Sequence, residues 1–154
     1  MYIYIGDGNN LRVRILRNHC SGNVEGSALR KLVAGSMGFQ LTKTRRPSRK
    51  PKVRLDMPNP SEGEARITEY VRSGTWNYVV CASYEEANAF QWFAIEALNP
   101  LLNQDRRASD QLRAARFKDL LVQLERSGPC DFSQRKQLPT GPGVYAICHD
   151  SEPK

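Results

Sequence analysis

Seven cations crowd into twelve residues, Lys43, Arg45, Arg46, Arg49, Lys50, Lys52 and Arg54, with no acid among them. The other 16 Lys and Arg are matched by 16 Asp and Glu, so the net charge of +7 is one local feature. A compact cationic segment favours a polyanion such as nucleic acid, whose phosphates give affinity and salt dependence. A solvated loop with no partner carries the same charge, so this signal alone leaves both readings open. A second residue is out of place in another way. Ala87, Ala94, Ile95 and Leu98 form the apolar stripe of a helix, and Gln91 sits within that stripe. The four cysteines, Cys20, Cys81, Cys130 and Cys148, make no CxxC pair. Neither His19-Cys20 nor Cys148-His149 has a standard zinc spacing, so scattered apolar thiols in a reducing interior are expected.

The elements that must position these residues follow from periodicity and turn chemistry. The chain of 154 residues has the length of one domain, 1–154. It holds no run of 18 apolar residues and nothing shaped like a secretory signal, so a cytoplasmic location with no membrane partner is expected. Residues 2–5 alternate as a strand, and Gly6 to Asn9 have turn chemistry. Leu11, Ile15 and Leu16 predict a short helix to about Asn18. Ser27 caps a second helix that Gly38 ends. Residues 40–61, with four prolines and the basic cluster, are expected to form a long exposed loop insertion. A short helix follows over 62–72. The apolar run in 76–81 predicts a central strand. Ser83 and Glu86 form a capping box for a helix that Asn99-Pro100 stops. An extra helix is expected over 107–127, with Phe117, Leu120, Leu121 and Leu124 on one face. Residues 130–142 are read as irregular, and 144–148 as a final strand. The fold class is α/β (α+β), with a small, mostly antiparallel three-stranded sheet flanked by helices.

The two outermost strands are informative together. The chain ends in Gly143-Val144-Tyr145 and a polar segment, and starts with Tyr4-Ile5-Gly6, then Asn10-Leu11-Arg12-Val13-Arg14. Read end to start this is GVY, a turn, YIG and NLxxR. Near the middle stands Pro100-Leu101-Leu102-Asn103, and nine residues before that proline is Gln91. Taken together these motifs resemble the GIY-YIG nuclease family, in circularly permuted order, with the first strand last. Natural permutation, engineered permutation and a domain swap in which Tyr145 serves a neighbouring subunit of a homodimer all fit this order.

The resemblance implies a DNA endonuclease that hydrolyses phosphodiester bonds of double-stranded DNA with one divalent metal, Mg²⁺ or Mn²⁺. The chain has no appended helix-turn-helix, zinc finger or helicase-like region, and a restriction-type enzyme is the simplest fit. Tyr145 would orient or deprotonate the attacking water, Arg14 would hold the phosphate, Tyr4 would bond the phosphate or water, and His19 would assist proton transfer. Gly143, Gly6 and Asn103 would be structural members of the motifs. The seven cations of 43–54, with Arg17, would follow the DNA backbone.

Two departures matter. His19 follows Arg14 by five residues, where many members have a histidine after four. The family's metal-binding glutamate is Gln91 here, and Mg²⁺ is a hard cation that takes carboxylates. Metal binding and cleavage would therefore be weakened. Glu96, five residues on, points away by about 140° of helix and is no substitute. A non-catalytic nucleic-acid-binding module, natural or engineered, is the alternative, and a basic RNA-associated domain is a weaker third.

Overall fold

A computed structural model describes residues 1–46, 49–103 and 111–153; for 45, 46, 49–51 and 111 it describes the backbone alone. Three strands form the central sheet: β1 (Tyr2–Gly8), β4 (Thr75–Val80) and β5 (Gly143–Cys148), in the order β1-β5-β4 and antiparallel throughout. Expected as central, β4 is an edge strand. The centre is β5, whose Val144, Tyr145, Ala146 and Ile147 are all fully buried because both faces of the sheet are covered. Each large apolar side chain buried this way contributes roughly 1.5–3 kcal/mol. Strand β1 also runs further than expected. Gly6, Asp7 and Gly8 pair with Tyr145, Val144 and Gly143, so the predicted turn residues are part of the ladder.

Alternation along the strands divides the core. Tyr4, Tyr145, Ile147 and Trp76 face one side, with the π-helix Val13–His19, α1 (Ala28–Ser36) and α2 (Pro60–Ser73). Ile5, Val144, Ala146 and Val79 face α3 (Tyr84–Leu98) and α4 (Ala114–Arg126). The result is helix, sheet, helix in three layers. The expected helix over 107–127 forms from Ala114, after a 3₁₀ turn at Gln111–Arg113, and its 104–110 part lies outside the described residues. Residues 132–137, expected to be irregular, form a 3₁₀ helix capped by Asp131. Among the described residues no helix is long and apolar enough to cross a membrane.

The expected loop over 40–61 is instead a β-hairpin, β2 (Leu41–Arg46) and β3 (Arg49–Leu55), followed directly by α2. Thr42, Thr44 and Val53 supply β-branched residues, and Leu55 anchors the base in the core. Pro51 lacks an N–H, which a two-stranded ribbon tolerates because each strand has an unpaired edge. Lys43 and Arg54 are exposed and Lys52 half-buried. The side chains of Arg45, Arg46, Arg49 and Lys50 lie outside the described residues.

Caps fix the helix starts. Ser27 accepts from the Arg30 N–H at 3.1 Å, as expected. Ser83 likewise accepts from Glu86 N–H at 3.1 Å, but the Glu86 carboxylate takes the Ala82 N–H at 2.8 Å, so the reciprocal half of the box is shifted by one residue. The Asn10 side chain accepts from Val13 N–H at 3.0 Å and starts the π-helix. The backbone of Arg12, the side chain of Arg12 and the backbone of Leu11 bind carbonyls in 136–141, which ties the approach to β5 onto the start of the π-helix.

Candidate active site

The hydroxyl of Tyr145 is the hub of a buried polar cluster. His19 Nε2 lies 2.5 Å from it, and Arg14 and Tyr4 stand close enough to act on its charge. Gly6 runs directly beneath: a Cβ there would lie 2.3 Å from the hydroxyl, so only glycine leaves room for the ring. Gly143 is required in the same way, since a Cβ would come within 2.2 Å of the Val79 carbonyl. On its far side His19 Nδ1 is 2.6 Å from Ser27 Oγ. Thus Ser27 both caps α1 and orients the imidazole.

The π-helix explains the five-residue spacing. In an α-helix, residues five apart are turned about 140° from each other. A π-turn closes i to i+5, and here the Cys20 N–H bonds the Ile15 carbonyl at 2.9 Å. Arg14 and His19 therefore share one side of the helix and reach the same phenol.

Burial sets the protonation of this cluster. Desolvation raises the Tyr145 phenol well above its ordinary value, Tyr4 adds to this and Arg14 opposes it. Tyr4 is raised, first by desolvation. Desolvation, then Arg14 and Arg30, hold His19 well below the ordinary imidazole value. The resting pair is a neutral phenol on a neutral imidazole. Desolvation works against the Arg14 charge, but Tyr145, Tyr4 and Asp7 outweigh it, so the guanidinium stays cationic. Its buried Nε has no partner among the described residues.

Beside this cluster lies a pocket of about 330 Å³ lined by Tyr4, Asp7, Arg14, Gln91, Trp92 and Asn103. Tyr145 and His19 are fully buried and do not line it. Asn103 accepts from Ile5 N–H at 2.8 Å and donates to the Ile5 carbonyl at 3.0 Å, continuing the backbone bonds from Leu101 and Leu102 to β1. It closes the outer edge of the YIG strand. Gln91 is 9% exposed at the pocket rim. Its amide faces both oxygens of Asp7 at 3.2 Å, and each contact is a hydrogen bond when the nitrogen is the atom turned to the carboxylate, the assignment the surrounding donors and acceptors favour. Glu96 is exposed on the outside of α3. Arg17 is exposed on the π-helix and does not line the pocket.

The chain matches the sequence profile of the GIY-YIG catalytic domain over residues 1–122. It belongs to the GIY-YIG nuclease family. The match spans the YIG strand, the π-helix, Gln91 and the PLLN turn, while the GVY strand lies outside the matched stretch. No curated protein and no solved structure matches the chain. GIY-YIG nucleases act on DNA and generally use a divalent metal. Among the described residues no group of three His, Cys, Asp or Glu side chains is arranged to hold a metal ion. Glutamine alone suits a hard cation poorly, but the adjoining Asp7 makes the donor set one carboxylate and one amide oxygen. That set fits Mg²⁺, which is held by one or two carboxylates and completes its shell with water and substrate phosphate.

Of the residues expected from sequence, Tyr4, Arg14, His19 and Tyr145 come together in one cluster, and Gln91 and Asn103 border the adjoining pocket. Asp7 and the second role of Ser27 were missed. The signal for Asp7 was available: it follows YIG directly, two residues from Ile5, so strand alternation turns it toward α3.

Proposed function

We propose that this chain is an endonuclease of the restriction type that hydrolyses double-stranded DNA with one divalent cation, weakened by glutamine at position 91. The observation that carries this reading is the convergence of Tyr4, Arg14 and His19 on the Tyr145 hydroxyl, beside a pocket bordered by Gln91. We further infer that the chain is a circular permutation of the family's usual order. The pairing of Gly6 with Tyr145, and the His149 N–H bond to the Met1 carbonyl at 3.1 Å, support it.

The scissile phosphate would take the Arg14 guanidinium and the Tyr4 hydroxyl, both of which border the pocket, and they would hold it in line and offset charge as it builds on the phosphate oxygens. Tyr145 would pass its proton to neutral His19, whose Nδ1–H then rests on Ser27 Oγ. The phenolate so formed, next to Arg14, would draw the proton of the Tyr4 hydroxyl, and Tyr4, which lines the pocket, would take one from the attacking water. Burial keeps His19 unprotonated and therefore ready to accept. A divalent cation, when bound, would stabilise the charge on the phosphate and leaving oxygens, and Asp7 with the Gln91 carbonyl would hold it. The hairpin β2–β3, carrying Lys43, Lys52 and Arg54 with Arg45, Arg46, Arg49 and Lys50 in the same stretch, would lie along the DNA backbone.

The test is cleavage of supercoiled plasmid with Mg²⁺ by this chain and its Gln91→Glu variant. The variant is expected to nick or linearise DNA far faster than the parent. If neither cuts while both bind DNA, the non-catalytic binding module is the better description.

A further inference from the structure

Three successive turns of α3 aim a polar side chain at one carboxylate. Asn88 Nδ2 donates to Asp7 Oδ2 at 2.8 Å, the Gln91 amide reaches both oxygens at 3.2 Å, and Tyr84 lies near enough for the Asp7 charge to raise its phenol. Asp7 stands at the mouth of the pocket that Tyr4 and Arg14 line. It is the carboxylate of that pocket, and Gln91 is the neighbour that can change what it offers. A primary amide carries two N–H donors on one side and a carbonyl acceptor on the other, in nearly the same shape. Half a turn of its last bond exchanges them without repacking the helix. With the nitrogen toward Asp7 the pair is a hydrogen bond. With the oxygen toward Asp7, three oxygens meet and leave a seat for a hard cation.

We propose that Asp7 is the cation anchor of this site and that Gln91 is a reversible clamp, bonding Asp7 through its nitrogen when the site is metal-free and turning its carbonyl to the cation when it is filled. This rests on the nuclease reading of the same pocket and names the residue that holds its metal. It also gives a reason for glutamine. A glutamate at 91 would place two carboxylates within hydrogen-bond distance, and each would disfavour the charge of the other until a cation or proton arrived. Glutamine lets the site stand closed without either.

The experiment is a titration of the full chain with Mn²⁺ in the absence of DNA, following free Mn²⁺ by electron paramagnetic resonance. The parent is expected to bind one Mn²⁺. Asp7→Asn is expected to weaken binding by about tenfold or more, and Gln91→Leu by less, as for a supporting ligand. Asp7→Glu, which keeps the carboxylate, guards against a mere folding defect and should retain measurable binding; thermal melting of each variant without metal provides the second check. Equal Mn²⁺ affinity in the parent and Asp7→Asn overturns the proposal. So does an absence of binding by the parent when Gln91→Glu binds equally well with and without Asp7→Asn. If Gln91→Glu cuts DNA in both backgrounds, the nuclease reading stands and the Asp7 anchor falls. If Asp7→Asn removes Mn²⁺ binding and no variant cuts, the anchor stands and the nuclease reading falls.

Discussion

His19 is held neutral by burial between Tyr145 and Ser27, and its titration couples the cluster to folding. An unfolded histidine protonates near pH 6.5, while the folded one resists protonation until far lower. The unfolded chain therefore binds the extra proton as pH falls below about 6.5, and stability falls with it. The expected slope from this group is roughly 1.4 kcal/mol per pH unit between about pH 6.5 and 5. Denaturant melts across that window check it, and His19→Gln should flatten the slope. At the same scale, Gly6→Ala drives a Cβ into the Tyr145 hydroxyl and should cost about 1–3 kcal/mol as an overpacked site. A melting temperature equal to that of the parent would contradict this. The residues of the cluster were legible because the motifs name them by type and order. Asp7 was masked, despite its strand position two residues after Ile5, because Gly6-Asp7-Gly8-Asn9 has the composition of a turn and β5, its pairing partner, lies at the far end of the chain.

The elements that bring those residues together were partly legible. The Ser27 and Ser83 caps and the helix stripes follow from local sequence, and each such cap contributes about 1 kcal/mol. The π-helix and the hairpin do not. An insertion in a helix has no signal beyond the spacing of Arg14 and His19, and the prolines of 40–61 mask a ribbon held by cross-strand pairing. The π-helix makes a specific prediction. Deleting exposed Arg17 shortens the spacing of the partners to that of one α-helical turn, about 40° out of line, and should preserve the fold and the His19 pH slope. Inserting an alanine after Arg17 should destroy both, because no single turn then serves Arg14 and His19. If the two variants behave alike in thermal melts, the account of the π-turn is wrong. Asn103 is an element-scale part too. Asn103→Leu leaves Ile5 N–H and C=O without partners at a buried edge and should cost roughly 2–4 kcal/mol, measured by urea unfolding.

Across the whole molecule, the excess charge gathers on one ribbon while the rest of the chain is balanced. The three-layer class was readable from the alternation of strand and helix signals. The sheet order was not, since the apolar content of β4 suits a buried edge as well as a centre. Binding to duplex DNA should show a steep, linear dependence of log affinity on log salt. The triple variant Lys43→Ala, Lys52→Ala, Arg54→Ala should reduce that slope by about 3, one for each phosphate no longer neutralised, and weaken all sequences similarly. An unchanged slope would remove the hairpin from the DNA path. The most direct test of the central claim is plasmid nicking with Mg²⁺ by Gln91→Glu, with and without Tyr145→Phe. The account predicts cutting by Gln91→Glu and a loss of about 10²–10⁴-fold when Tyr145 loses its hydroxyl. Cutting that is indifferent to Tyr145→Phe would contradict it.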